Sequence, residues 1–108
     1  MILYGIPTCD TCRKARAALE AEGREVVFRD LRAEPLSDGE IAALLARFGD
    51  ALINRRSTTW RNLSEAERTA APEALLAGHP TLMKRPVLAD GEKVTLGWDA
   101  ATRAGWTG

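Results

Sequence analysis

Apolar residues along this chain recur with two different spacings, and the alternation between them predicts the order of its elements. "MILYG", Met1 to Gly5, is a short apolar run closed by a glycine and reads as a buried strand that begins at once. Pro7 and Thr8 break it. From Asp10 the spacing becomes helical: Ala15, Ala18 and Leu19 supply an inward stripe, while Arg13, Lys14, Arg16 and Glu20 face water. Gly23 is a natural helix stop. "EVVFRDL", Glu25 to Leu31, predicts a second strand, and a strand, a helix and a strand in so short a span form a βαβ unit with parallel strands.

In "PLSDGEIAALLARFGD", Ser37 and Glu40 have the spacing of a capping box, and Ile41, Leu44, Leu45 and Phe48 share one face up to Gly49. "ALINRRSTTWRNLSEAERTAAPEALLAGHP" predicts a loop with one or two short helices. Thr58 and Thr59 read as caps there, Trp60 as packing within the segment, Pro72 as a first-turn residue and Gly78 as a stop. His79, in "GHP", reads as a cation at a helix C-terminus. "RPVLADGEKVTLGW" has the pattern of a hairpin, with Pro86–Ala89 and Lys93–Leu96 flanking an Asp90-Gly91 turn, and the tail allows a last short helix. The expected fold is one α/β domain over residues 1–108, a mixed sheet covered by helices, with a helical insertion at about 36–80.

Composition narrows the function. A chain of 108 residues fits a single core, and 45% hydrophobic with 28% charged residues is ordinary for a globular protein. Fifteen Lys and Arg balance fifteen Asp and Glu, so the basic excess that neutralises phosphates is absent and no nucleic-acid partner is expected. No apolar run approaches the ~20 residues of a membrane span. "MILYGIP" lacks the basic start and long apolar stretch of a signal peptide. The expected compartment is the cytosol, where thiols stay reduced, and the expected state is a monomer.

Compartment matters because the chain has two cysteines, Cys9 and Cys12, spaced C-x-x-C. A structural zinc site needs about four ligands. Here two cysteines and the single histidine, His79, have no second C-x-x-C to complete a set, so no metal is expected. A structural disulfide across this spacing would close a tiny loop and constrain the unfolded chain little. Redox chemistry accounts for the placement. Cys9 falls at the first turn of the predicted helix, where unpaired N–H groups and the helix dipole favour a thiolate. Arg13 and Lys14 add positive charge nearby and Asp10 opposes them. Cys12, one turn further in, is close enough to attack a mixed disulfide on Cys9. Cys9 is therefore the candidate nucleophile and Cys12 the candidate resolving thiol.

The stretches "YGIPTCDTCRKA…LE", "LINRRSTTWRNLSE" and "HPTLMKRPVLADGEKVTLGW" together resemble the arsenate-reductase-like (ArsC/Spx/YffB) family, in particular its small YffB-like branch. The resemblance runs over nearly the whole chain. It implies a thioredoxin-like fold with a helical insertion, in agreement with the element order. It also implies that Pro86 is a cis-proline facing the active cysteine, and that Arg85 donates hydrogen bonds to an oxyanion or a substrate carboxylate near Cys9, a role its planar fork suits. Pro86 independently suits a strand start, where its missing N–H breaks no ladder. Arg55 matches the arginine of the family's "LNxR" segment, although Arg56 beside it leaves open which of the two faces the site. Apart from the resemblance, Arg85 and Arg55 read as solvated cations.

One departure bears on the substrate. The family's arsenate reductases use a third arginine shortly after the terminal hairpin, where this chain has "VTLGWDA" and no arginine before Arg103. Each lost charge-assisted contact is worth about 1.5–3 kcal/mol, or roughly one to two powers of ten in anion binding. The resemblance thus implies a cytosolic thiol–disulfide oxidoreductase, glutathione-dependent and with no bound cofactor, acting on glutathione or a small thiol or disulfide. A glutathione- and glutaredoxin-linked arsenate reductase is one alternative. The other is an Spx-like redox-sensing transcription regulator that binds RNA polymerase.

Overall fold

A computed structural model of the chain describes residues 1–107. In chain order its elements are β1 (Ile2–Gly5), α1 (Asp10–Ala21), β2 (Val27–Asp30), α2 (Asp38–Phe48), α3 (Thr58–Arg61), α4 (Glu65–Arg68), α5 (Pro72–Gly78), β3 (Val87–Asp90), β4 (Lys93–Leu96) and α6 (Ala100–Trp106). Short 3-10 turns follow α2 and α5, at Gly49–Leu52 and Pro80–Leu82. The elements group into two compact units. One joins Met1–Leu31 to the chain from Arg85 onward, and the other is Arg32–Lys84.

The first unit is built on a four-stranded mixed sheet in the order β2-β1-β3-β4. β1 runs parallel to β2 and antiparallel to β3, and β3 pairs antiparallel with β4. The βαβ geometry expected from the sequence is present. Alternation along β1 and β3 sends Leu3 and Leu88, which pair directly, to the same face. There they form one buried cluster with Cys12, Ala15 and Leu19 of α1 and Trp106 of α6. The buried stripe of α1 is thus Cys12, Ala15 and Leu19, while Ala18 is only half-buried. Trp106 is fixed by its indole N–H, which donates to Thr95 Oγ1 at 2.7 Å. Two cations lie over its ring, Arg24 at 5.2 Å and Lys93 at 4.1 Å from the centroid.

The hairpin differs from expectation by one residue. Asp90 pairs with Lys93, so the two-residue loop is Gly91-Glu92 rather than a turn centred on Asp90-Gly91. Gly91 takes φ of +60°, which a glycine adopts without strain and which such tight loops require at their first position.

In the second unit α2 starts at the expected capping box: Ser37 Oγ accepts from the Glu40 N–H and the Glu40 carboxylate accepts from the Ser37 N–H. Its buried residue Ile41 belongs to this unit's core with Leu52, Ile53, Leu63, Leu75, Leu76, Leu82 and Met83. Ile53 and Met83 form an isolated antiparallel bridge, flanked by Asn54 N–H to Leu82 O at 2.9 Å and Lys84 N–H to Leu52 O at 2.7 Å. Three short helices stand where one or two were expected, because four-residue helices carry too little of the 3.6-residue period to be read. The first two are capped by Ser57 and Ser64, not by Thr58 and Thr59, which are already helical; Thr59 instead bonds Thr81 at 2.8 Å. His79 is the C-cap of α5, as its position suggested, and lies 3.6 Å from Glu67. Among the described residues no helix is long and apolar enough to cross a membrane.

Gly5, at the end of β1, lies where α1 comes closest to the sheet. A Cβ there would stand 2.5 Å from Cys12 Sγ and 3.2 Å from Leu3 Cδ2, both on buried side chains. Gly5→Ala should therefore destabilise the fold by about 1–3 kcal/mol through overpacking. Urea titration monitored by tryptophan fluorescence should show an earlier midpoint; an unchanged midpoint would mean that α1 moves away freely.

Candidate functional site

The site begins where β1 ends. The chain leaves Gly5, turns through Ile6, Pro7 and Thr8, and enters α1 with Cys9 as N-cap at φ −81° and ψ 116°. The turn is closed by Cys9 N–H donating to Ile6 O at 3.0 Å, and the Cys9 carbonyl accepts from Arg13 N–H at 3.1 Å as the helix begins. Cys9 is half-buried, Cys12 is fully buried, and both are free thiols. Cys9 is thus the thiol within reach of an incoming molecule, and Cys12 is the one held behind it against Gly5.

Strand pairing brings in the second part of the site. Tyr4 is paired with Val87, and β3 runs antiparallel to β1. Residues that precede Val87 therefore lie beside residues that follow Tyr4, at the end of the sheet where Cys9 sits. Arg85 and Pro86 are those residues. The Arg85–Pro86 peptide bond is cis, Pro86 is fully buried, and its carbonyl accepts from Gly97 N–H at 2.8 Å. The proline thus opens β3 as its missing N–H allows.

Electrostatics then separate the two thiols. Partial burial acts against ionisation of Cys9. It is outweighed by the backbone N–H of Cys12, by the Cys12 thiol, and by hydrogen bonding and charge from the Arg85 guanidinium, so the Cys9 pKa lies below that of an ordinary thiol. As a thiol Cys9 makes no side-chain capping bond to the helix; its anion is what the Cys12 amide stabilises. Cys12 moves the other way. Its burial, with the hydrogen bond and charge of the neighbouring Cys9, pushes its pKa up to about 12 against smaller opposing contributions from the Ile6 backbone and Arg85. At neutral pH the buried thiol keeps its proton and can donate a hydrogen bond to the Cys9 sulfur when that sulfur is ionised.

The cation that matters for Cys9 is therefore Arg85, which is distant in sequence, rather than Arg13 or Lys14. Those two pair with Asp10, at 3.6 Å and 3.1 Å, in side chains more than 60% exposed, where water and the acid absorb their charge. Arg55 belongs to the second unit. Its two terminal nitrogens donate to the two oxygens of Asp50 at 3.0 and 2.9 Å, and its guanidinium stacks 5.2 Å from the centroid of the Trp60 ring. Arg68 lies 5.6 Å from the same ring, so Trp60 packs within its own segment as expected. The backbone of Arg56 accepts from Arg61 and donates to Asn54 Oδ1. Among the described residues no group of three His, Cys, Asp or Glu side chains could hold a metal ion.

Two features escape a reading of the sequence. Gly5 reads as the end of a strand, yet its missing Cβ is what lets Cys12 approach. Asp50 is the other: its carboxylate faces Arg55 across a 3-10 turn, whose spacing follows no helical rule.

The geometry agrees with what the chain is similar to. The ArsC family model matches residues 4–104. The global transcriptional regulator Spx of Bacillus subtilis is 34% identical over 103 residues, which are 90% of this chain and 79% of Spx. A YffB protein of known structure superposes with a TM-score of 0.90 at 30% identity, covering 99% of this chain and 98% of its own. An arsenate reductase (ArsC) related protein from Brucella melitensis gives a TM-score of 0.77 at 34% identity, with 97% and 92% of the two chains covered. With the cysteine at the start of α1, the arginine and cis-proline opening β3, and these matches over almost its whole length, the chain belongs to the ArsC family and has its thioredoxin-like, thiol-oxidoreductase type of fold.

Proposed function

We propose that the chain is a cytosolic thiol–disulfide oxidoreductase that reduces disulfides and glutathione mixed disulfides at the expense of glutathione. The observation that carries this reading is the opposed acidity of its two thiols: Cys9 is shifted toward the thiolate, and Cys12 is held protonated beside it. A thiolate is the attacking species in disulfide exchange, and a second thiol one turn away can resolve the intermediate.

In the first step the Cys9 thiolate attacks one sulfur of a disulfide R–S–S–R′. A Cys9–S–S–R bond forms, the substrate S–S bond breaks, and R′–S⁻ leaves and takes up a proton. Forming that bond removes the negative charge from Cys9, which was one of the influences keeping Cys12 protonated. Cys12 then becomes easier to ionise just when it is needed. It loses its proton and attacks Cys9 Sγ, which gives a Cys9–Cys12 disulfide and releases R–SH. Two molecules of glutathione reduce this disulfide and leave as glutathione disulfide, so two electrons pass overall from glutathione to the substrate. Arg85 holds the developing or incoming negative charge at Cys9, and cis-Pro86 fixes the strand start that carries it. In the same reading Arg55 takes an anionic group of the substrate after Asp50 releases it. The protein works as a monomer without a resident cofactor, and glutaredoxin can serve as a thiol donor in place of free glutathione.

The identity to Spx gives a second reading, in which a Cys9–Cys12 disulfide switches binding to RNA polymerase. Capture of polymerase by the oxidised but not the reduced chain would support it over the enzyme. Arsenate reduction would use the same nucleophile. It is less favoured because Gly97 and Trp98 occupy the region after β4 where the family's reductases carry an arginine. An assay with arsenate, glutathione and glutaredoxin that stays silent while a mixed disulfide turns over would set it aside.

Alkylation by iodoacetamide should follow one midpoint, below the pH at which an ordinary thiol ionises, because the reactive form of the lowered group is its deprotonated one. Cys12 should not react until far higher pH. Arg85→Gln should move the midpoint upward, and an unmoved midpoint would remove Arg85 from the mechanism. Cys9→Ser should abolish turnover of a glutathione mixed disulfide, whereas Cys12→Ser should keep a part that depends on added glutathione. Full activity in Cys9→Ser would refute the proposed chemistry.

A further inference from the structure

Within the first unit, an open cleft of about 680 Å³ lies between α1 and α6. Its floor is unusual for a seam between two helices: Ala17 and Ala18 on one side face Ala100 and Ala104 on the other, so methyl groups stand where longer side chains would fill the gap. Trp98 forms part of the wall, and its ring packs inward against the buried cluster of the unit. The two charged residues that line the cleft are both cations, Lys14 from α1 and Arg103 from α6. Among the described residues the Arg103 side chain has no ion-pair partner; its backbone amide donates to Asp99 O at 2.8 Å, and its carbonyl accepts from the Thr107 amide and hydroxyl. Lys14 pairs with Asp10 at 3.1 Å, but both side chains are about 70% exposed, so the pair is weak and can be exchanged for a better one.

A concave apolar floor between two cations on opposite walls suits a ligand with two negative groups and a small apolar group between them. Its volume falls in the range of ligand-binding clefts. A nucleic-acid strand needs many phosphate contacts to bind, and a membrane surface needs a cluster of basic residues; two cations in a recess offer neither. We propose that the α1–α6 cleft docks an acidic peptide segment of a protein partner, with carboxylates reaching Arg103 and Lys14 and an apolar residue resting on the four alanines. This goes beyond the redox reading and does not depend on it, since none of the residues that line the cleft belongs to the thiol site.

The test uses the full chain, labelled with nitrogen-15 and titrated with the capped pentapeptide acetyl-Glu-Val-Glu-Val-Glu-amide. Saturable shifts should appear at the Trp98 indole N–H and at the amides of Ala18 and Ala104, and weaken as salt is added. The matching lysine peptide should give none. Arg103→Glu should weaken binding by about tenfold, and Ala104→Trp, which fills the cleft from an exposed helix position, should abolish saturation. Equal shifts with both peptides, shifts scattered over the surface, no shifts at all, or shifts indifferent to both variants would overturn the proposal. Alkylation of Cys9, measured on the same samples, should be unchanged by either variant. Loss of docking with intact alkylation then reports on the cleft alone, and an unreactive Cys9 would count against the redox reading instead.

Discussion

One hydrogen-bonded arrangement sets the acidity of the site: the anion of the sulfur at the start of α1 is stabilised by an amide and a thiol from the next helical turn and by a guanidinium from the opening of β3. Each partner comes from a different level of the structure. The amide is a property of any helix start. The thiol depends on Gly5 leaving room for Cys12 against the sheet. The guanidinium depends on the register that pairs Tyr4 with Val87. A one-residue slip of that register would turn Leu88 away from the buried cluster and displace Arg85 together with it. The same apolar packing that stabilises the sheet therefore also positions the charge.

The asymmetry between the thiols follows from depth. The sulfurs lie one helical turn apart, but Cys12 is fully buried while Cys9 is partly exposed, and burial penalises the charged form. Once one of a close pair is ionised, the other is discouraged from following. The pair therefore gives up its first proton from Cys9, and the fold decides that order.

Much of this was legible in the sequence because the signals were local. The capping box at Ser37, the apolar run of β1, the period of α1 and the hairpin all depend on neighbours within a few residues. What was not legible depended on distance or on missing atoms. Arg13 and Lys14 are close to Cys9 in sequence and read as its cations, yet Asp10 takes their charge, and Arg85 acts from across the sheet. Arg85 and Pro86 could be assigned a role only by resemblance, since nothing in "KRPVL" by itself says where β3 lies. The short helices α3 and α4 were blurred because each is a single turn, and the serines that cap them were passed over for the threonines beside them.

That Arg85 reaches Cys9 through strand pairing has a temporal side. The ribosome releases the cysteine early and the arginine late, so a nascent chain can form the helix start but not the pairing. In that interval the sulfur lacks the contribution of the guanidinium to its acidity. The part of its acidity that Arg85 supplies arrives only when the sheet closes.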